Sequence, residues 1–376
     1  MLGHLDSQLA ALPEDVKATL ARFHFNPARF HQLSARLAAG ERGENHVQGA
    51  LSAPKPGDIE RLPPAGTPEH ERLIARGRAA LARGEVALAV LAGGMATRMG
   101  GVVKALVEVL HGKTFLDLRL GEIEAHRRAF GTAPPLWLMA SSATEEPLRK
   151  ALGARADGEK VAVFSQFSSL RLTPNGDIYR DANGRPSEHA SGHGDFPEAL
   201  QKSGLIQRFV ATGGKVVMLT NLDNLGGTLD PAILGFHLTH GRPVTSEVVD
   251  KLESDRGGIP IYVDDRLCVL EEFRIPPSFD PKTVRVFNTN VFHFDSRALS
   301  ELSIPWTFFL VNKQVGADPV IQFERLVNEV TSHLKTAYLQ VPRTGAESRF
   351  LPVKDGAELD ARRAENEAVA RARGML

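Results

Sequence analysis

The first twenty residues place Leu5, Leu9, Leu12, Val16 and Leu20 three or four positions apart, the spacing that gathers apolar side chains on one side of a helix. Helix is therefore expected to about residue 50, where Pro54, Pro56, Pro63 and Pro64 break it. A second helix is expected over GTPEHERLIARGRAALARGE, with Thr67 as its cap and Pro68 in the first helical position. The pattern then changes. VALAVLAGG is an apolar run without alternation, as expected of a central parallel strand covered on both faces. Similar runs follow at PLWLMA, VAVFSQ, KVVMLTNLD and VFNTNVFHF, with helical segments such as DLRLGEIEAHRRAF and FPEALQKSGLIQRFVATGG between several of them. Strand and helix alternating in this way predict an α/β domain with a mostly parallel sheet. The tail, DGAELDARRAENEAVARARGML, is charged and poor in large apolar residues, so a solvated surface helix is expected there.

Composition narrows the function classes. A chain of 376 residues buries a substantial core. Lysine plus arginine equals aspartate plus glutamate at 45 each, so no global field draws the protein to nucleic acid or an anionic membrane, and any phosphate site must be local. The single cysteine, Cys268, excludes an intrachain disulfide framework and a multi-cysteine metal site, and suits a reducing cytosol. The N-terminus lacks the basic segment and apolar run of a secretory leader, and no apolar stretch is long enough for a bilayer. A soluble cytoplasmic protein is expected, with no nucleic-acid or membrane partner.

In parallel sheets, ligands sit outside the carboxyl ends of the strands. Polar clusters do follow the apolar runs here: AGGMATRMG, SQFSS and TNLDN. In the first, Leu91, Ala92, Gly93 and Gly94 lead out of a strand, and Arg98 and Lys104 follow. Glycines at such a place let backbone N–H groups approach a phosphate. This is neither a Walker loop nor a dinucleotide fingerprint, because no Gly-Lys-Ser/Thr closes it and G-x-G-x-x-G is absent. Each candidate has a structural alternative when taken singly: Gly93-Gly94 as an ordinary turn, Gln166 as a solvated strand end, Asp223 as a turn or cap, Lys251 and Lys313 as surface lysines.

The order of the motifs resembles the UDP-sugar pyrophosphorylase family. Residues 91–104 resemble its L-x-G-G-x-G-T-x-x-G loop and following lysine, SGHGD its P-G-H-G-D, and NLDNLGGTLD its N-x-D-N-L-G. VVDK, FNTNVFHF, VNKQVGADPVIQFE and SRFLPVKD continue the match across roughly residues 85–355. The resemblance implies a Rossmann-like (GT-A-like) nucleotidyltransferase domain at 81–355, with a helical N-terminal extension at 1–80 and a C-terminal helix at 356–376. It implies a reaction in which UTP and glucose 1-phosphate give UDP-glucose and pyrophosphate with Mg²⁺. N-acetylglucosamine 1-phosphate or another hexose 1-phosphate is the alternative substrate, and a non-catalytic sugar-nucleotide binder the alternative of another class.

The same resemblance implies roles for particular residues. Leu91, Ala92, Gly93, Gly94, Gln166 and Gly192 would hold the nucleotide, with Asp223 binding Mg²⁺ beside it. His193, Asn221, Leu222, Lys251, Asn288 and Asn290 would hold the sugar phosphate, while Lys104, Lys313 and Arg98 would stabilise charge in the reaction. The chain also departs from the pattern. Ala96 stands for a loop glycine, Val103 for the proline before the lysine, and the interval from Gly100 to Lys104 is one residue short. Arg98 resembles the N-acetylglucosamine branch, whereas TFLDL, FNTN and SRFLPVK resemble the glucose branch. FERLVNEV replaces L-E-T-A-x-G.

Overall fold

The computed structural model describes residues 2–40, 45–96 and 100–376. Eight strands form the central sheet: β1 (Ile59–Arg61), β2 (Val86–Leu91), β3 (Leu136–Ala140), β4 (Val161–Ser165), β5 (Val216–Asn221), β6 (Val244–Asp250), β7 (Val286–Asp295) and β8 (Thr336–Gln340). Their spatial order is β1-β8-β6-β7-β5-β2-β3-β4. Every neighbouring pair is parallel except those that β7 makes with β5 and β6. Seven strands therefore end at one edge of the sheet, and β7 begins there.

The missing alternation in VALAVL has a direct cause. Val86, Leu88 and Val90 enter one apolar core while Ala87 and Ala89 enter a second on the opposite face. Helices α4 (Pro68–Ala82), α5 (Phe115–Phe130) and α6 (Glu145–Leu152) cover the first face, and α7 (Phe196–Lys202) and α8 (Leu205–Ala211) the second. Thr67 caps α4 by accepting from the N–H of His70 at 3.3 Å, with Pro68 in the first turn. The expected helix across FPEALQKSGLIQRFVATGG is two helices, because Gly204 takes a left-handed φ of +73° between them.

The expected helix to residue 50 is instead three helices, α1 (Leu2–Ala10), α2 (Glu14–Arg22) and α3 (Pro27–Ala38), whose apolar residues pack with Leu170, Leu172, Ile178, Ile321 and Phe323. The 1–80 boundary does not follow the fold. Leu51–Ser52 pairs with Gly258–Val263, and β1 is the edge strand of the central sheet beside β8. The helical expectation also meets a correction at the other end, where 356–376 holds two helices, Gly356–Ala361 and Arg363–Ala372. Nor is this tail merely a solvated surface. Val369, Ala370 and Met375 are buried in the core under α5, and a side chain at Gly121 would collide with the Met375 carbonyl. No helix among the described residues is long and apolar enough to cross a membrane.

Candidate active site

The carboxyl edge of the sheet collects most of the expected residues. Chain leaving β2 runs through Ala92, Gly93 and Gly94 into a short hairpin, Met95–Ala96 against Val102–Val103, which returns Lys104 to the loop it came from. The Lys104 N–H donates to the Gly94 carbonyl at 3.2 Å. That tight return accommodates the short interval before the lysine. Arg98, between the two arms, lies outside the described residues. Across the edge, β5 delivers Asn221, Leu222 and Asp223, and the Lys104 ammonium forms an ion pair with the Asp223 carboxylate. Both side chains are largely but not wholly withdrawn from solvent.

On the β3 and β4 side of this pair, Gln166 is buried at the end of β4, with its N–H on the Ala140 carbonyl at 2.7 Å. A Cβ on Gly93 would stand 2.6 Å from the Gln166 Oε1. A side chain at 93 would therefore push the Gln166 amide aside, and Ser141 fixes the turn by donating to the Gly93 carbonyl at 2.9 Å. Leu91 and Ala92 contribute backbone: Leu91 accepts from the Leu222 N–H, and Ala92 donates to the Met139 carbonyl. The Leu222 and Ala92 side chains belong to the apolar core.

On the β7 side, the Asn290 amide donates to the Asn221 Oδ1 at 2.9 Å. Asn290 holds a left-handed φ of +60°, where the β6–β7 register shifts. Such a conformation in a strand costs about 1–3 kcal/mol and is retained where the surroundings enforce it. Asn288 lies two residues earlier, accepting from the Ser246 hydroxyl at 3.1 Å. Half-buried across Gly258 from it is Glu271, whose Oε1 accepts from the Asn328 amide at 2.9 Å. Burial pushes the Glu271 carboxyl up to about 7. A side chain on Gly258 would meet both Glu271 and the Asn288 amide. Glu271 was not a sequence candidate, since a lone glutamate ending an apolar run reads as a strand leaving the core.

The remaining candidates fall elsewhere or act indirectly. His193 Nδ1 accepts the Val327 N–H at 3.1 Å, so its ring proton resides on Nε2. Burial lowers this imidazole to about 4, leaving it neutral near neutral pH. Gly192, with φ +93°, is required because a side chain would strike the Arg325 backbone. Lys251 lies past the end of β6, but its ammonium is engaged by the Pro281 carbonyl at 3.2 Å and Glu272 at 3.5 Å. Lys313 is exposed on the hairpin Phe309–Val315/Asp318–Glu324, where burial raises the Glu324 carboxyl and the Lys313 charge offsets that only in part. No hydrogen bond or ion pair among the described residues joins Lys313 or Lys251 to the Lys104–Asp223 pair.

Two residues outside the expected set hold the Asp223 loop. Arg119, fully buried on α5, donates to the carbonyls of Asn221, Asn224 and Gly227, and to Glu122 at 2.8 Å. Asn224 clamps the SRFLP segment, donating to the Arg349 carbonyl at 3.0 Å and accepting from the Leu351 N–H at 2.8 Å. The two motifs are thus joined by one buried amide.

Among the described residues, no group of three or more His, Cys, Asp or Glu side chains is arranged to hold a metal ion. Asp223 is the carboxylate at the centre of the edge. Its Oδ2 meets Lys104 and its Oδ1 has no hydrogen bond among the described residues. A single carboxylate is the donor set suited to Mg²⁺ that arrives with phosphate groups, rather than to an all-protein cage.

Residues 43–365 match the family described as UTP–glucose-1-phosphate uridylyltransferase. A probable UTP–glucose-1-phosphate uridylyltransferase of Schizosaccharomyces pombe is 31% identical over 291 residues, covering 72% of this chain and 56% of that protein. The Saccharomyces cerevisiae UTP–glucose-1-phosphate uridylyltransferase is 31% identical over 295 residues, covering 72% and 57%. The chain therefore spans little more than half the length of these relatives. Among solved structures, the uridine diphosphate N-acetylglucosamine pyrophosphorylase of Trypanosoma brucei superposes with a TM-score of 0.77 at 18% identity, covering 97% of this chain and 81% of that one. A UDP-glucose phosphorylase of the same organism gives 0.72 at 23% identity, covering 96% and 77%. At these identities the structures establish the mixed α/β fold with its mostly parallel sheet.

Proposed function

The chain belongs to the UTP–glucose-1-phosphate uridylyltransferase family, and from that premise we propose that it transfers UMP from UTP to glucose 1-phosphate, forming UDP-glucose and pyrophosphate. In this reading the sheet and its helices are a GT-A-like nucleotidyltransferase domain carrying helices α1–α3 as an N-terminal addition. The observation that carries the proposal is the Lys104–Asp223 pair, flanked by Gly93 and Gln166 on one side and by Asn221 and Asn290 on the other.

An ionised phosphate oxygen of glucose 1-phosphate attacks the α-phosphorus of UTP, a P–O bond forms there, and the bond to the pyrophosphate oxygen breaks on the opposite side. No protein nucleophile is needed. The task is to bring two anions together and to spread the charge that grows on pyrophosphate. Lys104 supplies a fixed positive charge at the loop, while backbone around Gly93 and Gly94 supports the nucleotide. Gln166 offers both a donor and an acceptor to the edge of uracil. His193, neutral with its proton on Nε2, donates to the sugar phosphate without adding charge, and Asn288, Asn290 and Glu271 face the sugar hydroxyls. Asp223 would be the residue that holds Mg²⁺, through its carboxylate. When bound, that ion neutralises charge on the phosphates. In this reading Lys251, past the end of β6, serves the sugar phosphate, and Lys313, on its hairpin, is a second phosphate-binding lysine.

Phosphorus NMR of the protein with UTP, glucose 1-phosphate and Mg²⁺ tests the proposal. Resonances of UDP-glucose and pyrophosphate should grow together, and Asp223→Asn should abolish both while remaining folded. Hydrolysis of UTP without UDP-glucose would contradict it.

A further inference from the structure

The segment FERLVNEV, where the chain departs from its family's pattern, supplies Arg325. This residue is 1% exposed and directly follows the hairpin that carries Lys313. Its Nε donates to the Oδ1 of Asp195 at 2.5 Å and an Nη donates to Glu198 at 2.9 Å. The guanidinium lies over the rings of Phe167, Trp306 and Phe308, at 5.1, 5.4 and 5.6 Å from their centroids. A planar cation held between carboxylates and aromatic faces is an arginine site that lysine does not reproduce.

Asp195 is the other half of the arrangement. It is fully buried, and its Oδ2 accepts from the Phe167 N–H at 3.1 Å and the Ser191 hydroxyl at 2.9 Å. One carboxylate therefore ties three segments: the residue after Gln166, the start of the SGHGD loop, and the stretch after the Lys313 hairpin. The backbone repeats the connection. Arg325 donates its N–H to the Ser191 carbonyl at 2.9 Å and accepts from the Gly194 N–H at 2.9 Å, while the Val327 N–H meets His193.

We propose that the Arg325–Asp195 pair is a positioning device that fixes the base end of the nucleotide pocket and the His193 loop relative to each other, so that both substrates lose affinity together when it is broken. The inference rests on the proposed UTP and glucose 1-phosphate sites. Neither partner touches substrate in this scheme. Arg325 acts through Asp195 on Phe167, next to Gln166, and through its backbone on Ser191 and Gly194 around His193. Removing the guanidinium leaves a buried carboxylate without its counter-charge, and the loop must open to hydrate it.

The test compares the wild type with Arg325→Met, Arg325→Lys and the double variant Arg325→Met with Asp195→Asn. Binding of UTP and of glucose 1-phosphate is measured separately by calorimetry, and the histidine Cε1–H resonance of His193 is followed by NMR. Arg325→Met should weaken both ligands at least 10-fold and shift the His193 resonance. The double variant, which removes both charges and keeps an acceptor for the Phe167 N–H, should recover binding of both to within about 3-fold. Arg325→Lys keeps charge without the planar fork and should fall between; it also carries the test if Arg325→Met does not fold. Unchanged affinities in the folded single variants, loss of one ligand alone, or no recovery in a folded double variant would overturn the coupling. If the wild type binds neither ligand, the functional reading fails separately. The His193 resonance then decides the coupling, which is upheld by a shift in Arg325→Met or Arg325→Lys that the double variant reverses and overturned by its absence.

Discussion

Lys104 and Asp223, 119 positions apart in the chain, meet as an ion pair at the carboxyl edge of the sheet. The pairing follows from topology: β2 and β5 are adjacent and parallel, with Leu91 opposite Asn221, so the loops after both strands leave at the same point. In the proposed reaction this pair would separate, the lysine toward phosphate and the carboxylate toward Mg²⁺. Lys104→Ala should lower kcat by about two to three orders of magnitude with a smaller change in KM, as expected for a charge whose contribution grows in the transition state. Steady-state kinetics checks this. Equal loss of kcat in Lys313→Ala would show that the exposed hairpin lysine also reaches the phosphates, and Arg98→Ala decides whether the loop arginine shares the work.

If Gln166 reads the base as proposed, Gly93 matters as well, because it leaves room for that amide. Gln166→Ala should weaken UTP with little effect on glucose 1-phosphate. Gly93→Ala should do the same for a different reason, because its methyl would displace the Gln166 amide. Calorimetric titration of UTP into each variant is the check, and wild-type affinity in both would remove Gln166 from the site.

Arg119 holds the loop from which Asp223 projects. Arg119→Met removes the side-chain donor from three backbone carbonyls and leaves the buried Glu122 without its cationic partner. Removing one member of such a pair costs about 3–5 kcal/mol, read as a fall in the urea midpoint. Met375 and Gly121 predict a milder analogue, since Gly121→Ala should loosen the C-terminal helix from α5.

Acid should unfold the protein through its buried histidines. His189, His193 and His240 are lowered by burial to about 4, and His237 well below its ordinary value. Each takes up a proton near pH 6.5 when unfolded and not when native, so these groups lose stability as pH falls from about 6.5 toward 4. Asp195 and Glu271, raised by burial to about 6 and about 7, act with the opposite sign and lose stability as pH rises from about 4 toward 7. His24 and His126 are lowered as well, and Glu188 and Glu324 raised, so six histidines against four carboxyls leave net destabilisation on acidification. Chemical denaturation between pH 4 and 8 measures the sign, and Glu271→Gln should selectively raise stability at the alkaline end.

The runs that form β2, β3, β4, β5 and β7 were legible because both faces of each are apolar, a pattern few other structures produce. β1 was not, because a three-residue edge strand among prolines carries no periodicity and is defined only by its neighbour β8. Gln166, Asp223 and Asn290 could be located as residues following or within such runs. Glu271 and Arg119 could not, since their roles come from what burial places beside them: the Asn288 amide for one, three loop carbonyls for the other. The charged tail misled for a related reason. Val369, Ala370 and Met375 are few, but all three are buried, and the Met375 backbone lies against Gly121.

Pyrophosphate release reads out the proposed transfer of UMP to a sugar 1-phosphate. UTP is supplied with Mg²⁺ and, in parallel, glucose 1-phosphate, galactose 1-phosphate or N-acetylglucosamine 1-phosphate, and release is followed at matched concentrations. Release is expected to require both substrates and to be fastest with glucose 1-phosphate. UTP binding without pyrophosphate release from any of the three sugars would contradict it and mark the protein as a sugar-nucleotide binder.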